Sequence, residues 1–275
     1  MLKFIKSAVI GLTAMFSVVS FGAPKVVLTE KNLVVLRGSV TSESVAKISH
    51  QILSSPEKEL YLYISSPGGS VIAGQSLIYA IQTSGKKIHC VVSVGISMAF
   101  SITQGCTTRL VMPHSIMMQH VASYGLEGQD PNNRTFLKFL TDMLEEMDKA
   151  QAERLGLSLK VFKEKTRDDW WLYGTSAVKN KAADSVAEVS CSRELAQKTY
   201  REKIRVFVFS VDVEWSACPL IEGPLKVGSD AEERARRDGA TPDLETLLKI
   251  RKIIENLNTY EVIEKKFRKN MDFAN

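Results

Sequence analysis

The sequence predicts an α/β fold, with one principal domain and a smaller C-terminal appendage, and three observations carry that prediction. From residue 33 onward, short runs rich in β-branched residues alternate with stretches of helical periodicity. Residues suited to helix caps and turns, such as Thr41 and Pro113-His114, fall at the junctions between them. The 275 residues are 44% hydrophobic and 24% charged, a balance that lets a globular chain bury a substantial core.

The first 22 residues stand apart from this pattern. Lys3 and Lys6 precede an apolar stretch from Ala8 to Val19, and Ser20 and Gly22 supply small residues where a signal peptidase cleaves. A signal peptide over residues 1–22 is therefore expected, with cleavage after Gly22 or Ala23 and export to the periplasm or the medium. The alternative is an uncleaved N-terminal membrane anchor, for which the run is short, since a bilayer span needs about 20 apolar residues. Removal of Lys3 and Lys6 lowers the net charge from +5 to +3, too weak a field to imply a nucleic-acid partner.

The elements then follow in order. Residues 33–36 read as a strand, Thr41 as the N-cap of a helix through Leu53, and residues 60–64 as the next strand. An amphipathic helix is expected over 70–83, a buried strand over 88–94 and a helix over 97–104. Two strands, 109–112 and 116–120, are expected around a turn at Pro113-His114. Gly125, Gly128, Asp130, Pro131 and two asparagines mark 124–133 as an exposed loop. Behind it a long helix runs from about Arg134 to Leu155, its stripe from Phe136 through Leu140 and Met143 to Met147 suited to core or to a subunit interface. Helices near Ser158 and Thr175 and a strand over 185–189 complete the domain 23–190.

Residues 191–275 form a C-terminal α/β extension of different texture. Residues 205–213 alternate as one strand, 218–241 are turn-rich and charged, and Thr241-Pro242-Asp243 opens a helix with a broad apolar face. Its basic end, Lys265-Lys266-Phe267-Arg268-Lys269, suits cations near a helix C-terminus or, alternatively, contact with a membrane surface or an acidic partner.

Export would make the four cysteines candidates for disulfides. Cys90 opens a predicted strand and Cys106 closes the helix after it, so a strand running up and a helix running back allow them to meet, leaving Cys191 with Cys218. Four buried free thiols fit the sequence equally well. No Cys/His spacing suits a metal, and neither metal nor cofactor is predicted.

Three features point to chemistry. Ser66-Pro67-Gly68-Gly69-Ser70 links a strand to a helix, where two glycines permit positive φ and leave N–H groups free for an anion or a polarised carbonyl. A plain tight turn explains the same residues; a phosphate loop does not, because its Lys and Ser/Thr are missing. In Gly95-Ile96-Ser97-Met98-Ala99 a serine sits between a strand and a helix, the place for an exposed nucleophile or for an ordinary N-cap. His120 ends an apolar strand, whereas His50, His89 and His114 fall on a surface helix, a strand entrance and a turn.

Taken in order, Ser66-Pro67-Gly68-Gly69-Ser70, Ser97-Met98-Ala99 and Met112-Pro113-His114-Ser115-Ile116-Met117-Met118-Gln119-His120 resemble the proteolytic subunit of the Clp protease family. The similarity continues through the long helix and Ser158-Leu159 to Thr166-Arg167-Asp168-Asp169-Trp170-Trp171-Leu172, and spans about residues 33 to 190. It implies a Clp-protease/crotonase-like spiral of ββα units with a protruding helix, ring-shaped homo-oligomers and cleavage of peptide bonds. It also implies Ser97 as nucleophile, His120 as general base and Asp169, rather than Asp168, as the group orienting the imidazole. Gly69 and Met98 would supply oxyanion N–H groups, and Gly68 and Ser70 would flank the substrate. For an exported protein with no ATP-driven unfoldase beside it, short or unfolded polypeptides are the expected substrates. Two other readings stand beside this one: a Ser-Lys dyad using Lys138, and a non-catalytic oligomeric module that binds peptides or a partner.

Overall fold

The computed structural model describes residues 22–125, 127–206 and 209–229. The predicted signal segment up to residue 21 and the predicted helix from Thr241 lie outside the described residues. The chain enters as β1 (Lys25–Leu28) and then builds β2 (Leu33–Arg37), α1 (Ser42–Ser54), β3 (Glu59–Ser66), α2 (Val71–Thr83), β4 (Lys87–Ile96), α3 (Met98–Gln104) and β5 (Thr108–Gln119). Strands β2 to β5 are parallel and adjacent in chain order. A helix connects each to the next, so the backbone winds as a spiral.

Side-chain alternation divides the sheet between two cores. Leu60, Leu62 and Ile64 of β3 meet Ile48 and Ile52 of α1, Leu77 and Ile81 of α2 and Ile102 of α3 on one face. Tyr61 and Tyr63 point to the other, against Val26 and Leu28 of β1. Strands buried on both faces read as nearly continuous apolar runs, which is why they were legible. Thr41 closes a capping box with Ser44 at the start of α1, and the Ser70 hydroxyl accepts from the Ala73 N–H at the start of α2.

The Pro113-His114 turn does not form, and β5 is one strand of 12 residues. Pairing with β4 stops at Val92↔Val111 and resumes at Val94↔Ile116, so Met112 to Ser115 bulge opposite Ser93. Pro113, which has no N–H for a ladder, falls in this unpaired stretch.

Next come α4 (Asp130–Leu155), α5 (Leu159–Thr166), β6 (Trp170–Tyr173), α6 (Thr175–Lys179), β7 (Ser185–Val186) and β8 (Glu188–Cys191). Helix α4 starts four residues earlier than predicted because Pro131 occupies its first turn, where a missing N–H costs nothing. Its Ala152 and Leu155 are buried, but Phe136, Leu137 and Phe139 are exposed. The front half of the stripe is therefore not core of this chain. The single strand predicted over 185–189 is two: β7 pairs with β5, and after buried Ala187 the chain crosses to pair β8 with β1. Strands β1 and β6 are too short to betray a period and were not predicted.

In the extension, α7 (Arg193–Gln197) leads to β9 (Thr199–Val206), β10 (Phe209–Ser216) and β11 (Lys226–Ser229), an antiparallel sheet in chain order. The one strand expected over 205–213 is thus parts of two, with Val206 opposite Phe209. No Gly, Pro or Asn marks the reversal there. The extension is fastened to the main sheet: the Glu222 carboxylate accepts from the Tyr63 hydroxyl at 2.6 Å and from the Ser65 hydroxyl at 2.8 Å. Arg37 lies 5.1 Å over the Trp215 ring and donates to the Pro219 and Ile221 carbonyls. Disulfides join Cys90 to Cys106 and Cys191 to Cys218, so the free-thiol alternative does not hold.

One buried charge ties β5 to the segment before β7. Arg109, 5% exposed, donates to Asp184, to Gln104 Oε1 at 2.8 Å and to the Lys181 carbonyl at 2.9 Å. Burial pushes the Asp184 carboxyl up, but hydrogen bonds and charge from Arg109 outweigh it and hold it below the usual carboxylate range. Asp184→Asn should cost about 2 kcal/mol at pH 7, because it strands the guanidinium. Since the folded-state pKa is depressed, Asp184's contribution is full above its unfolded value of about 3.9 and is lost as pH falls through the folded value. Urea denaturation at pH 7 and pH 3 checks this: the gap between wild type and Asp184→Asn should narrow in acid.

Candidate active site

The candidate site gathers at the C-terminal ends of β4 and β5. Ile96 ends β4 buried against Val94, Met118 and Trp171, and the chain then reverses sharply at Ser97. Ser97 has φ 57° and ψ −121°, a conformation that non-glycine residues rarely adopt. Its N–H donates to the Met118 carbonyl at 2.8 Å, and its carbonyl accepts from Ser101 at 3.2 Å. Ser97 occupies the N-cap position of α3, but its hydroxyl makes no capping bond to that helix. Instead Ser97 Oγ lies 2.8 Å from His120 Nε2.

His120 and Asp169 are brought together by strand register. Strand β6 is antiparallel to β5 with Gln119 opposite Trp170, so the residue after Gln119 faces the residue before Trp170. His120 Nδ1 and Asp169 Oδ1 are 3.8 Å apart, within ion-pair reach and longer than a hydrogen bond. Asp169 itself holds a positive φ of 56°. Asp168 turns away: it is exposed and paired with Arg167 at 2.7 Å, a hydrogen bond that holds its carboxyl below the usual range.

The glycine turn closes over the serine. At Gly68, φ is +89°, and a Cβ there would lie 2.6 Å from the Ile96 carbonyl oxygen, 2.8 Å from Ser97 Cβ and 2.9 Å from the Met98 nitrogen. Gly69 pairs with Val40 in a parallel bridge: Val40 N–H donates to the Gly68 carbonyl and Ser70 N–H to the Val40 carbonyl. That pattern leaves the Gly69 N–H on the side away from Val40. Met98 is the first residue of α3, where an N–H has no acceptor within the helix. Ser70 spends its hydroxyl on capping α2.

The other candidates are engaged elsewhere. Lys138, the candidate for a Ser-Lys dyad, pairs with Asp142 at 2.7 Å on the exposed surface of α4. His50 is exposed on α1; His89 lies beside the Tyr61 ring, its pKa lowered by burial; His114 is exposed in the β5 bulge. Among the described residues no three His, Cys, Asp or Glu side chains converge as metal ligands would. One set of residues adjoining the site escaped the sequence reading. The Gln119 amide oxygen accepts from the His120 N–H at 3.2 Å, and behind it stand Ser101 and Gln151. Polar residues at apolar-period positions were the only signal.

Comparison with known proteins identifies the family of the chain. A sequence model described as Clp protease matches residues 23–190. The ATP-dependent Clp protease proteolytic subunit 2 of a Synechococcus species is 32% identical over 168 residues, covering 58% of this chain and 85% of the relative. Subunit 1 of Prochlorococcus marinus is 31% identical over the same length, covering 58% of this chain and 86% of its own. Subunit 2 of Tropheryma whipplei is 30% identical over 139 residues, 48% of this chain and 76% of the relative. With the ordered motifs, the α/β spiral and a match over more than half its length, the chain belongs to the Clp protease family.

Proposed function

We propose that this protein is a serine peptidase that hydrolyses peptide bonds in short or unfolded polypeptides through Ser97, His120 and Asp169. The observation that carries the reading is the 2.8 Å contact between Ser97 Oγ and His120 Nε2. A neutral His120 removes the hydroxyl proton as Oγ attacks the scissile carbonyl, then returns it to the leaving amine. Asp169 keeps the proton of the neutral ring on Nδ1 and stabilises the imidazolium, closing its 3.8 Å separation as charge develops. The N–H groups of Gly69 and Met98 receive the oxyanion, each worth about 3 kcal/mol in the transition state. Gly68 and Ser70 flank the bound peptide. Water then hydrolyses the acyl-enzyme by the same relay in reverse.

The protein acts outside the cytoplasm, as a homo-oligomeric ring and without an ATP-driven unfoldase. The two disulfides and the signal-like N-terminus support export. The exposed Phe136, Leu137 and Phe139 on α4 support self-association. The basic segment 265–269 offers a contact to an anionic membrane surface. Fluorophosphonate labelling of the full chain, with peptide mapping, tests the chemistry. Label is expected on Ser97, lost in His120→Ala and retained in Lys138→Ala. A well-folded wild type that takes no label would instead favour a peptide-binding module.

A further inference from the structure

Ser97 immediately precedes α3 and His120 immediately follows β5, so their 2.8 Å separation depends on how those two elements are held together. Behind the site, three polar side chains lie buried where the two elements meet α4: Ser101 of α3, Gln119 of β5 and Gln151 of α4, 4%, 6% and 5% exposed. Gln119 Nε2 donates to Ser101 Oγ at 3.0 Å and to Gln151 Oε1 at 2.7 Å. The Ser101 hydroxyl donates to Gln151 Oε1 at 3.0 Å, closing a triangle. The remaining groups are satisfied as well: Gln119 Oε1 accepts from the His120 N–H, and Gln151 Nε2 donates to the Met147 carbonyl at 3.4 Å.

Apolar residues of similar volume would stabilise such an interface at least as well, since burying polar groups costs desolvation that their hydrogen bonds only offset. What a closed polar triangle adds is direction, because only one arrangement satisfies every group. Each vertex has a fixed relation to the chemistry. Ser101 is one helical turn beyond Ser97 and bonds to its carbonyl; Gln119 is the residue before His120 and holds its N–H. Gln151 belongs to the docked half of the helix whose other half projects exposed Phe136, Leu137 and Phe139.

We propose that Gln119, Ser101 and Gln151 are positioning residues that hold His120 against Ser97 and make the reactivity of Ser97 depend on the seating of α4. The inference rests on the Ser97–His120 hydrolase reading. It is tested with the full chain carrying Ser101→Ala, Gln151→Met or both. The rate constant for fluorophosphonate labelling per folded molecule should fall about tenfold in Gln151→Met, the size expected when a buried hydrogen bond that sets catalytic geometry is lost. The double variant should cost no more than the worse single one, because the three groups act as a unit. Should Gln151→Met not fold, Ser101→Ala, which deletes one hydroxyl, carries the same test. Labelling at the wild-type rate by folded variants would overturn the proposal. A second readout is independent of reactivity: the ring-nitrogen resonances of His120, assigned against His120→Ala, should shift in the variants. A wild type that takes no label but whose His120 resonances respond to Gln151→Met would sink the hydrolase reading and leave the positioning role standing. Unchanged resonances together with unchanged rates would remove the positioning role alone.

Discussion

Ser97→Ala is expected to abolish fluorophosphonate labelling and to lower peptide hydrolysis by on the order of 10⁶-fold, the loss typical when a triad nucleophile is removed. His120 would keep its place, but its Nε2 would have no Ser97 hydroxyl proton to take. Residual turnover would come from the N–H groups of Gly69 and Met98 and from substrate binding alone. The fold should be untouched, because the lost hydroxyl makes no bond to α3 and its partner His120 is partly open to water. Melting temperatures of wild type and variant should agree within about 3 °C. Wild-type hydrolysis by purified Ser97→Ala would end the proposed mechanism.

Gly68→Ala should lower kcat/KM by about 100-fold or more and destabilise the protein by about 2 kcal/mol. The added Cβ meets the Ile96 carbonyl, Ser97 Cβ and the Met98 nitrogen, all within 2.9 Å. None is the free end of a flexible side chain. Relief therefore requires moving the nucleophile turn itself, including one of the two N–H groups assigned to the oxyanion. Gly38 provides the control, since it has a positive φ of +74° but nothing within 4 Å of a Cβ. Gly38→Ala should cost only backbone strain, about 1 kcal/mol by urea denaturation, with hydrolysis retained. If both variants hydrolyse peptides like wild type, close packing of the glycine turn on Ser97 plays no part in catalysis.

Legibility of the fold followed the strength of local signals. Buried parallel strands and well-capped helices announced themselves: β3 and β4, and α1 behind Thr41. Errors fell where tertiary pairing overrode a local cue. Pro113 looked like a turn, yet β6 and β7 each pair with part of β5 and keep it extended on either side of the bulge. The alternating residues 205–213 looked like one strand because a reversal made without glycine or proline leaves no mark. The stripe on α4 had a period that suits core or a subunit interface alike, because amphipathicity does not say whether the apolar face meets its own chain; for Phe136 and Leu137 it does not.

By itself the sequence determined the class of fold and the order of its principal strands and helices, while the site candidates, Asp169 rather than Asp168 among them, came from its resemblance to the Clp protease family. These are recorded in period, in capping residues and in motif order, all of which are local along the chain. Only the tertiary structure decided that Ser97 Oγ engages His120 rather than capping its helix, and that the cysteines pair as Cys90–Cys106 and Cys191–Cys218. It alone brought Ser101, Gln119 and Gln151 into one triangle behind the site. The physical reason is the same each time: these contacts join elements far apart in sequence, and a hydrogen bond of 2.8 Å is set by packing across three elements rather than by the identity of either partner.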